Sequence, residues 1–159
     1  MSISSVTLHA VVGDIRLSLE RQGVEKLVIV NGHGGNYVLA NIVQEANVTA
    51  HRMVLYPQAV EWKEARVYAG VETGNHVDMH AGEAETSILL SEAPELVGEN
   101  YRDADFIVDD RRYLLTLGVS GYSKTGVIGR PSLATRDKGQ RLLDSFAAQF
   151  KSCLAQLRV

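Results

Sequence analysis

The chain has 159 residues, 45% of them hydrophobic, and a formal net charge of −3 at pH 7. We expect one domain over residues 1–159, since this size and composition allow a single buried core. The mild acidity without a Lys/Arg cluster argues against nucleic acid, and the sequence contains neither an apolar run near ~18 residues nor a secretory signal, so no membrane partner is expected. A single cysteine, Cys153, excludes an internal disulfide and favours a cytoplasmic protein.

The first predicted elements are a helix and a strand. The helix should end near Gly23, and its apolar face is formed by Leu8, Val11, Val12, Ile15 and Leu19. Residues 27–30 are four consecutive apolar residues, three of them β-branched, which predicts a parallel strand buried on both faces. A helix that begins this early needs a sheet to cover, so we expect further sheet residues upstream of this sequence.

A glycine-rich turn follows the strand, and His33 is its only titratable residue. Helical spacing resumes after Asn36 and predicts a helix over 37–50 with the Asn36 side chain as its cap. Ligands of open α/β sheets collect at the carboxyl ends of strands, so His33 lies where a site is expected. An ordinary strand-to-helix turn with an incidental histidine explains the spacing equally well. The Lys-Ser/Thr pair of a phosphate loop and the glycine spacing of a dinucleotide site are both absent.

A second short strand is predicted at residues 53–56, ended by Pro57. Strand, helix and strand in this order predict a βαβ unit with a parallel sheet and a right-handed crossover. For residues 57–76 we expect a loop-rich connection with a helical turn around 59–69, serving as a lid or an oligomer contact.

The second informative stretch runs from His76 to Leu90. If a helix begins near Gly82, Glu85 falls within the apolar stripe formed by Ala81, Ala84, Ile88 and Leu89, while Glu83 points roughly 200° away. We therefore expect the Glu85 carboxylate to face the interior, where it needs an ion pair, hydrogen bonds or a metal. A buried salt bridge to an arginine is the structural alternative to a ligand role.

His76, Asp78 and His80 alternate along the chain, so an extended backbone would place all three on one face. Two imidazoles and a carboxylate in that arrangement suit metal binding or proton transfer. For His76 and Asp78 a chance run on a surface segment is the favoured interpretation.

The remaining chain predicts two strands and a helix. Tyr113–Val119 is expected to form an edge strand, since Gly118 and Gly121 bracket its end, and residues 126–131 a short strand with a turn. A terminal amphipathic helix is indicated by Leu142, Phe146, Phe150, Leu154 and Leu157. Cys153 lies beside this stripe and is interpreted as core packing.

Two motifs taken together, Val30-Asn31-Gly32-His33-Gly34-Gly35-Asn36 and His80-Ala81-Gly82-Glu83-Ala84-Glu85-Thr86-Ser87, closely resemble the creatininase (creatinine amidohydrolase) family. The resemblance covers roughly the last two-thirds of a full member. It implies a three-layer α/β/α fold with a mainly parallel central sheet, here without its N-terminal part. It also implies hydrolysis of an amide-type C–N bond in a small molecule at a two-metal centre. Family members often form hexamers, so a homo-oligomer is expected.

The resemblance also implies residue roles. His33 matches the metal-ligand histidine, and His80 matches the histidine proposed to move a proton to the leaving nitrogen. Glu85 is our choice for a carboxylate ligand. This transfer is less direct than that of His33, because creatininase itself has its glutamate at the position that is Gly35 here. Zn²⁺ or Mn²⁺ would suit these ligands. We assign three further residues to substrate binding, namely Gly34, His76 and Asp78.

One part of the family pattern is not found. Members carry a Glu-x-His segment and a bridging aspartate upstream of the first motif, and nothing in residues 1–32 replaces them, since His9 lies on a helix without a matching carboxylate. We therefore expect an incomplete metal centre within this chain. The two hypotheses are a metal-dependent amidohydrolase, of which this is the C-terminal part, and a non-catalytic homologue that serves as a binding or oligomerisation module.

Overall fold

The computed structural model describes residues 3–157, and their contacts group into two compact units. Unit 1 contains residues 3–59 and 148–157, and unit 2 contains residues 60–147. Each unit has its own hydrophobic cluster.

Unit 1 contains the predicted βαβ arrangement. Helix α1 (Ser5–Arg21) precedes strand β1 (Leu27–Val30), helix α2 (Val38–Ala46) and strand β2 (Met53–Tyr56). The strands pair in parallel, as predicted, with Leu27 opposite Met53 and Val30 opposite Tyr56. The prediction that β1 is buried on both faces is wrong, since its first three residues are half-buried and Val30 is exposed. The buried residues of this unit's cluster are Val12, Leu39, Ile42 and Met53.

Asparagine side chains lie close to both ends of α2. The predicted cap by Asn36 is wrong, because its side-chain amide donates to Asn31 Oδ1 (2.9 Å) and the N-cap residue of α2 is Tyr37. The helix ends at Ala46, short of the predicted 50, since Asn47 Oδ1 accepts from the backbone N–H groups of Arg52 (2.8 Å) and Met53 (2.9 Å). A side chain that bonds a later backbone segment stops helix growth locally.

Unit 2 is mainly helical. Its elements are α3 (Ala59–Ala69), α4 (Glu83–Glu92), the single turn α5 (Leu114–Leu117), and the first part of α6 (Arg136–Ala155). The helical turn predicted around 59–69 is present as the full helix α3, whose Ala65 and Ala69 are buried with Ala84 and Leu142 in this unit's cluster. The terminal helix is confirmed.

Helices α4 and α6 approach each other at Gly139. A Cβ atom at that position would overlap the carbonyl group of Ser87, so glycine is needed for the close contact. Just before α6, the backbone N–H of Thr135 also donates to the Ser87 side chain at Oγ (3.1 Å).

The predicted Tyr113–Val119 strand is wrong. Leu117 and Gly118 donate to the carbonyl groups of Tyr113 and Leu114 (2.9 Å each), which forms a helical turn, and Gly118 leaves it with a φ of +65°. Residues 126–131 instead supply antiparallel bridges, Ile128 to His80 and Gly129 to Phe106.

Within residues 3–157 the sheet has two parallel strands, so the α/β class is confirmed in a mostly helical form. None of the helices in that range is long and apolar enough to cross a membrane.

Candidate functional site

The turn after β1 is organised by Asn31. Its N–H donates to Tyr56 O (2.7 Å) and continues the β1–β2 ladder, while its Oδ1 accepts from the His33 N–H (3.3 Å) and from the Asn36 side chain (2.9 Å). His33 therefore lies at the carboxyl end of β1, where the sequence predicts a site, and its side chain is exposed.

The His33 ring bends back over its own turn. Its Nδ1 accepts from the Gly35 N–H (3.0 Å), and a Cβ at position 35 would lie 2.7 Å from His33 Cε1. In the neutral ring an accepting Nδ1 leaves the proton on Nε2. In this conformation neither nitrogen offers a free lone pair, so the ring would have to rotate before it could bind a metal. Gly34 is exposed beside it, and its contact with substrate stays a prediction.

His80 belongs to unit 2 and is held by the segment 126–129. Its N–H donates to Ile128 O, and the Ile128 N–H donates to His80 O, both at 2.9 Å. The ring Nδ1 lies 2.8 Å from the carbonyl oxygen of Gly126. Because a carbonyl oxygen can only accept, Nδ1 carries the proton, and the lone pair of the neutral ring is on Nε2. This is the form of histidine that can take up a proton at Nε2.

The predicted orientation of α4 is wrong. Glu83 is fully buried and Glu85 is exposed, and the buried residues of the helix are Glu83, Ala84, Thr86 and Ser87. The sequence argument places the apolar residues of α4 in the core. Its polar residues are buried instead, and hydrogen bonds to partners offset the free-energy cost of removing them from water. Ser87 Oγ, for example, donates to Glu83 O (2.6 Å).

Glu83 accepts hydrogen bonds from three residues. Thr73 donates through Oγ1 (2.6 Å) and N–H (2.9 Å), the Glu72 N–H donates at 3.0 Å, and Lys138 Nζ lies 2.6 Å away. Burial alone would raise the pKa of the Glu83 carboxyl, but the hydrogen bonds from Lys138, Thr73 and Glu72 outweigh it and hold the pKa below its ordinary value. Lys138 in turn has a raised pKa, because Glu83 and Glu72 outweigh the effect of its own burial. The Glu83 carboxylate is therefore held in place, and in its charged form, by these three residues.

Asp78 is also a buried carboxylate, with 2% of its side chain exposed. It accepts from Arg66 Nη1 (2.7 Å) and from the backbone N–H groups of Glu83 (2.5 Å) and Ala84 (3.0 Å). It thus caps α4, whose N-cap residue Gly82 has no side chain to do so. The buried pair with arginine that we considered for Glu85 is formed by Asp78. A substrate contact by Asp78 stays a prediction.

Glu85 holds the corner between His80 and α4. Its Oε2 accepts from the Ala81 N–H (2.5 Å), and Thr86 Oγ1 donates to Ala81 O (3.3 Å). Ala81 has a φ of +51°, a left-handed conformation that costs an L-residue about 1–2 kcal/mol. His76 is exposed, and its carbonyl oxygen accepts from Arg111 Nη2 (2.6 Å).

A family model described as "Creatininase: Creatinine amidohydrolase" matches residues 1–154. The chain belongs to the creatininase family. Among the relatives of this creatininase-family chain are two proteins named "Mycofactocin precursor peptide peptidase". The one from Mycobacterium ulcerans (strain Agy99) is 33% identical over 136 residues, covering 84% of this chain and 48% of the relative. That from Mycolicibacterium smegmatis is 30% identical over 140 residues, covering 84% and 49%. The chain spans about half the length of these curated relatives.

Solved creatininases share its fold. A structure named "Creatininase Mn" has a TM-score of 0.76 at 22% identity, covering 97% of this chain and 65% of that one. A mutant creatininase of Zn-Zn type has a TM-score of 0.70 at 22% identity, with coverage of 97% and 64%. The predicted family and its α/β fold are therefore confirmed.

The described residues include side chains that could bind a metal, but these side chains do not form a cluster. His33 in unit 1 and Glu85 in unit 2 carry an imidazole and an exposed carboxylate. Among residues 3–157 no three His, Cys, Asp or Glu side chains come together as a possible metal site. That one ion is shared by His33 and Glu85 stays a prediction.

Proposed function

We propose that this creatininase-family chain carries the proton-transfer part of a metal-dependent amidohydrolase that cleaves an amide-type C–N bond. The observation that carries the proposal is the hydrogen bond from His80 Nδ1 to Gly126 O, which leaves the lone pair on Nε2. Family membership supports the reaction class.

His80 would work as a general acid and base. Its Nε2 takes a proton from the attacking water and delivers it to the departing nitrogen, which prevents the expulsion of an unstable amide anion. The Nδ1–H bond to Gly126 O keeps the ring orientation fixed and stabilises the positive charge that the ring gains in between.

His33 and Glu85 are the proposed metal ligands, and Zn²⁺ or Mn²⁺ suits an imidazole with a carboxylate. Such an ion would polarise the substrate carbonyl and lower the pKa of a bound water toward ~7. Two ligands are too few for tight binding. Because the chain matches about half of its curated relatives' length, we assign the other ligands to the half that it does not match.

For the substrate we propose a short peptide, within the broader expectation of a small-molecule amide. The support is the name of the relatives, which are 30–33% identical to this chain and are each called "Mycofactocin precursor peptide peptidase". A homo-oligomer, such as a hexamer, and a cytoplasmic location stay predictions.

The test uses the protein as its complete gene encodes it, supplied with Mn²⁺ or Zn²⁺ and a set of short peptides, with products identified by mass spectrometry. We expect hydrolysis that a chelator abolishes and added metal restores. The variant His80→Asn should lower kcat by about 10²- to 10⁴-fold. His9→Asn is the matched control, because His9 is an exposed histidine on α1 whose Nε2 meets Glu45 (2.8 Å). Hydrolysis that is absent with every metal, or unchanged in His80→Asn, would refute the proposal.

A non-catalytic binding module is the second candidate. One observation favours it, namely that His33 Nδ1 is engaged by the Gly35 N–H instead of being presented to solvent. Metal analysis of the purified protein separates the candidates. A binding module should hold no stoichiometric metal, and its metal content should be unchanged in His33→Asn. The enzyme should bind metal and lose it in that variant.

A further inference from the structure

We propose that Arg66 and Asp78 are positioning residues for His80, which keep its ring in the Nδ1–H form with Nε2 available for proton transfer. The inference rests on the proposed function of His80, and it assigns to Arg66 and Asp78 a role that they exert through the His80 ring.

The Asp78 carboxylate joins three parts of unit 2. One oxygen accepts from the Glu83 N–H (2.5 Å), and the other accepts from the Ala84 N–H (3.0 Å) and from Arg66 Nη1 (2.7 Å) on α3. Arg66 also donates to Asp78 O and to Thr73 O, at 3.2 Å each. Charged hydrogen bonds in a buried setting are short and geometrically specific. The pair therefore fixes the backbone at Asp78 and the first turn of α4 at once, on either side of His80.

Two glycines make room for this carboxylate. A Cβ at Gly82 would overlap Asp78 Oδ1, and a Cβ at Gly129 would lie 2.7 Å from the same oxygen and 2.7 Å from the Gly82 Cα. The segment that carries Gly129 is the one that holds His80, through the bridge to Ile128 and the bond to Gly126 O. Asp78 is therefore packed against the partner segment of His80 as well as against α4.

The consequence for the ring follows from its tautomers. A histidine side chain without a specific partner favours the Nε2–H form, so the Nδ1–H form requires the Gly126 carbonyl at the right distance. The Met79 and His80 N–H groups both bond to Ile128 O (2.9 Å), so a shift of the backbone at Asp78 moves the ring relative to Gly126. Loss of the Asp78 charge should relax this arrangement and transfer part of the population to the Nε2–H form.

Glu83 provides a matched control. It is a second buried carboxylate with a cationic partner, Lys138, and with backbone donors. Its side-chain partners are Glu72, Thr73 and Lys138, none of which belongs to the segment 126–129. Asp78→Asn and Glu83→Gln thus remove the same charge from similar surroundings, and only the first should affect His80.

The experiment measures the ring nitrogen chemical shifts of His80 in the 159-residue chain labelled with ¹⁵N-histidine at neutral pH, with His80→Asn to assign the signal. The wild-type shifts should report the Nδ1–H form. Asp78→Asn should move them toward the Nε2–H form, while Glu83→Gln should keep the wild-type shifts. In the hydrolytically active protein, Asp78→Asn should lower kcat by about 10- to 100-fold with little change in KM.

Three results would overturn the inference: an Nε2–H form in the wild type, wild-type shifts in Asp78→Asn, or equal changes in both variants. If Asp78→Asn does not fold, Arg66→Lys replaces it. This variant keeps the charge but has lost the planar fork that reaches Thr73 and both parts of Asp78, so the shift toward Nε2–H should be smaller in size and equal in direction. If Arg66→Lys shows no shift toward the Nε2–H form, the inference is also overturned. The nitrogen chemical shifts can be measured without substrate turnover. A protein that shows the expected shifts but no hydrolysis would therefore refute the proposed function and leave this inference standing.

Discussion

The turn at His33 and the corner at His80 look alike in sequence, since each has one histidine beside glycines, but different interactions hold them. The His33 side chain is exposed and its hydrogen bonds are neutral, since the His33 N–H donates to Asn31 Oδ1 and the Gly35 N–H donates to His33 Nδ1. Around His80 two buried carboxylates, Asp78 and Glu83, are bonded to cations and to backbone N–H groups.

The difference shows what glycine does in each motif. Gly35 leaves room for an imidazole that bends back on its own turn, whereas Gly82 leaves room for a carboxylate that comes from another position in the chain. A neutral surface hydrogen bond contributes about 1 kcal/mol, while removal of one member of a buried ion pair costs several times more. The contrast therefore predicts unequal sensitivity to substitution.

The largest effect is expected for Glu83→Ala. This change leaves Lys138 without its buried partner and leaves the N–H groups at 72 and 73 without acceptors, so the free energy of unfolding should fall by about 3–5 kcal/mol. Urea denaturation of unit 2, followed by Trp62 fluorescence, measures it.

Glu72→Ala is the control for that variant. Glu72 contacts the same Lys138 Nζ (2.9 Å), but 63% of its side chain is exposed, so the loss should stay below about 1 kcal/mol. Equal losses in the two variants would show that burial does not distinguish these carboxylates.

A smaller effect is expected for Gly139→Ala, which places a methyl group against the Ser87 carbonyl between α6 and α4. Forced separation of packed elements should destabilise the protein by about 1–3 kcal/mol. Gly13→Ala is the same substitution in α1, where a Cβ meets nothing within 4 Å, and it should stabilise by about 0.5–1 kcal/mol through helix propensity. Thermal unfolding of both variants should give shifts of opposite sign, and shifts of equal sign would contradict the close approach at Gly139.

The smallest effect is expected for Asn31→Ala in the His33 turn. The change removes the acceptor of the His33 N–H and of the Asn36 side chain, and these exposed groups can bond to water instead, so we expect a loss of about 1 kcal/mol or less. Faster amide hydrogen exchange at residues 33–36 should accompany it. Asn31→Asp keeps the accepting oxygen and should exchange more slowly than Asn31→Ala. A loss as large as that of Glu83→Ala would remove the distinction between the two motifs.

Local patterns predict the fold of unit 1 well. Four apolar residues at 27–30, a helical stripe and a second apolar run at 53–56 are enough to predict the parallel pair, because each element is specified by residues within it. The end of α2 was beyond such patterns, since Asn47 acts through backbone groups at 52 and 53 that spacing does not reveal.

The site was predicted less completely. The two motifs identify the family, but periodicity gives Glu83 and Glu85 the wrong environments. The partners of Glu83 lie 10 and 55 residues away in the chain, at Thr73 and Lys138, so no local rule could show that its burial is compensated. The same holds for Asp78, whose partner Arg66 is 12 residues upstream on α3.

Ala81 has a consequence for how freely the backbone around His80 can reorient. A glycine in this left-handed position would reach many neighbouring backbone angles, whereas a methyl group confines the corner to a narrow basin beside His80. The left-handed conformation of Ala81 thus costs local conformational free energy, and it restricts the backbone at this position to few alternative angles. The backbone of His80, which precedes Ala81 directly, therefore has few alternative conformations to adopt.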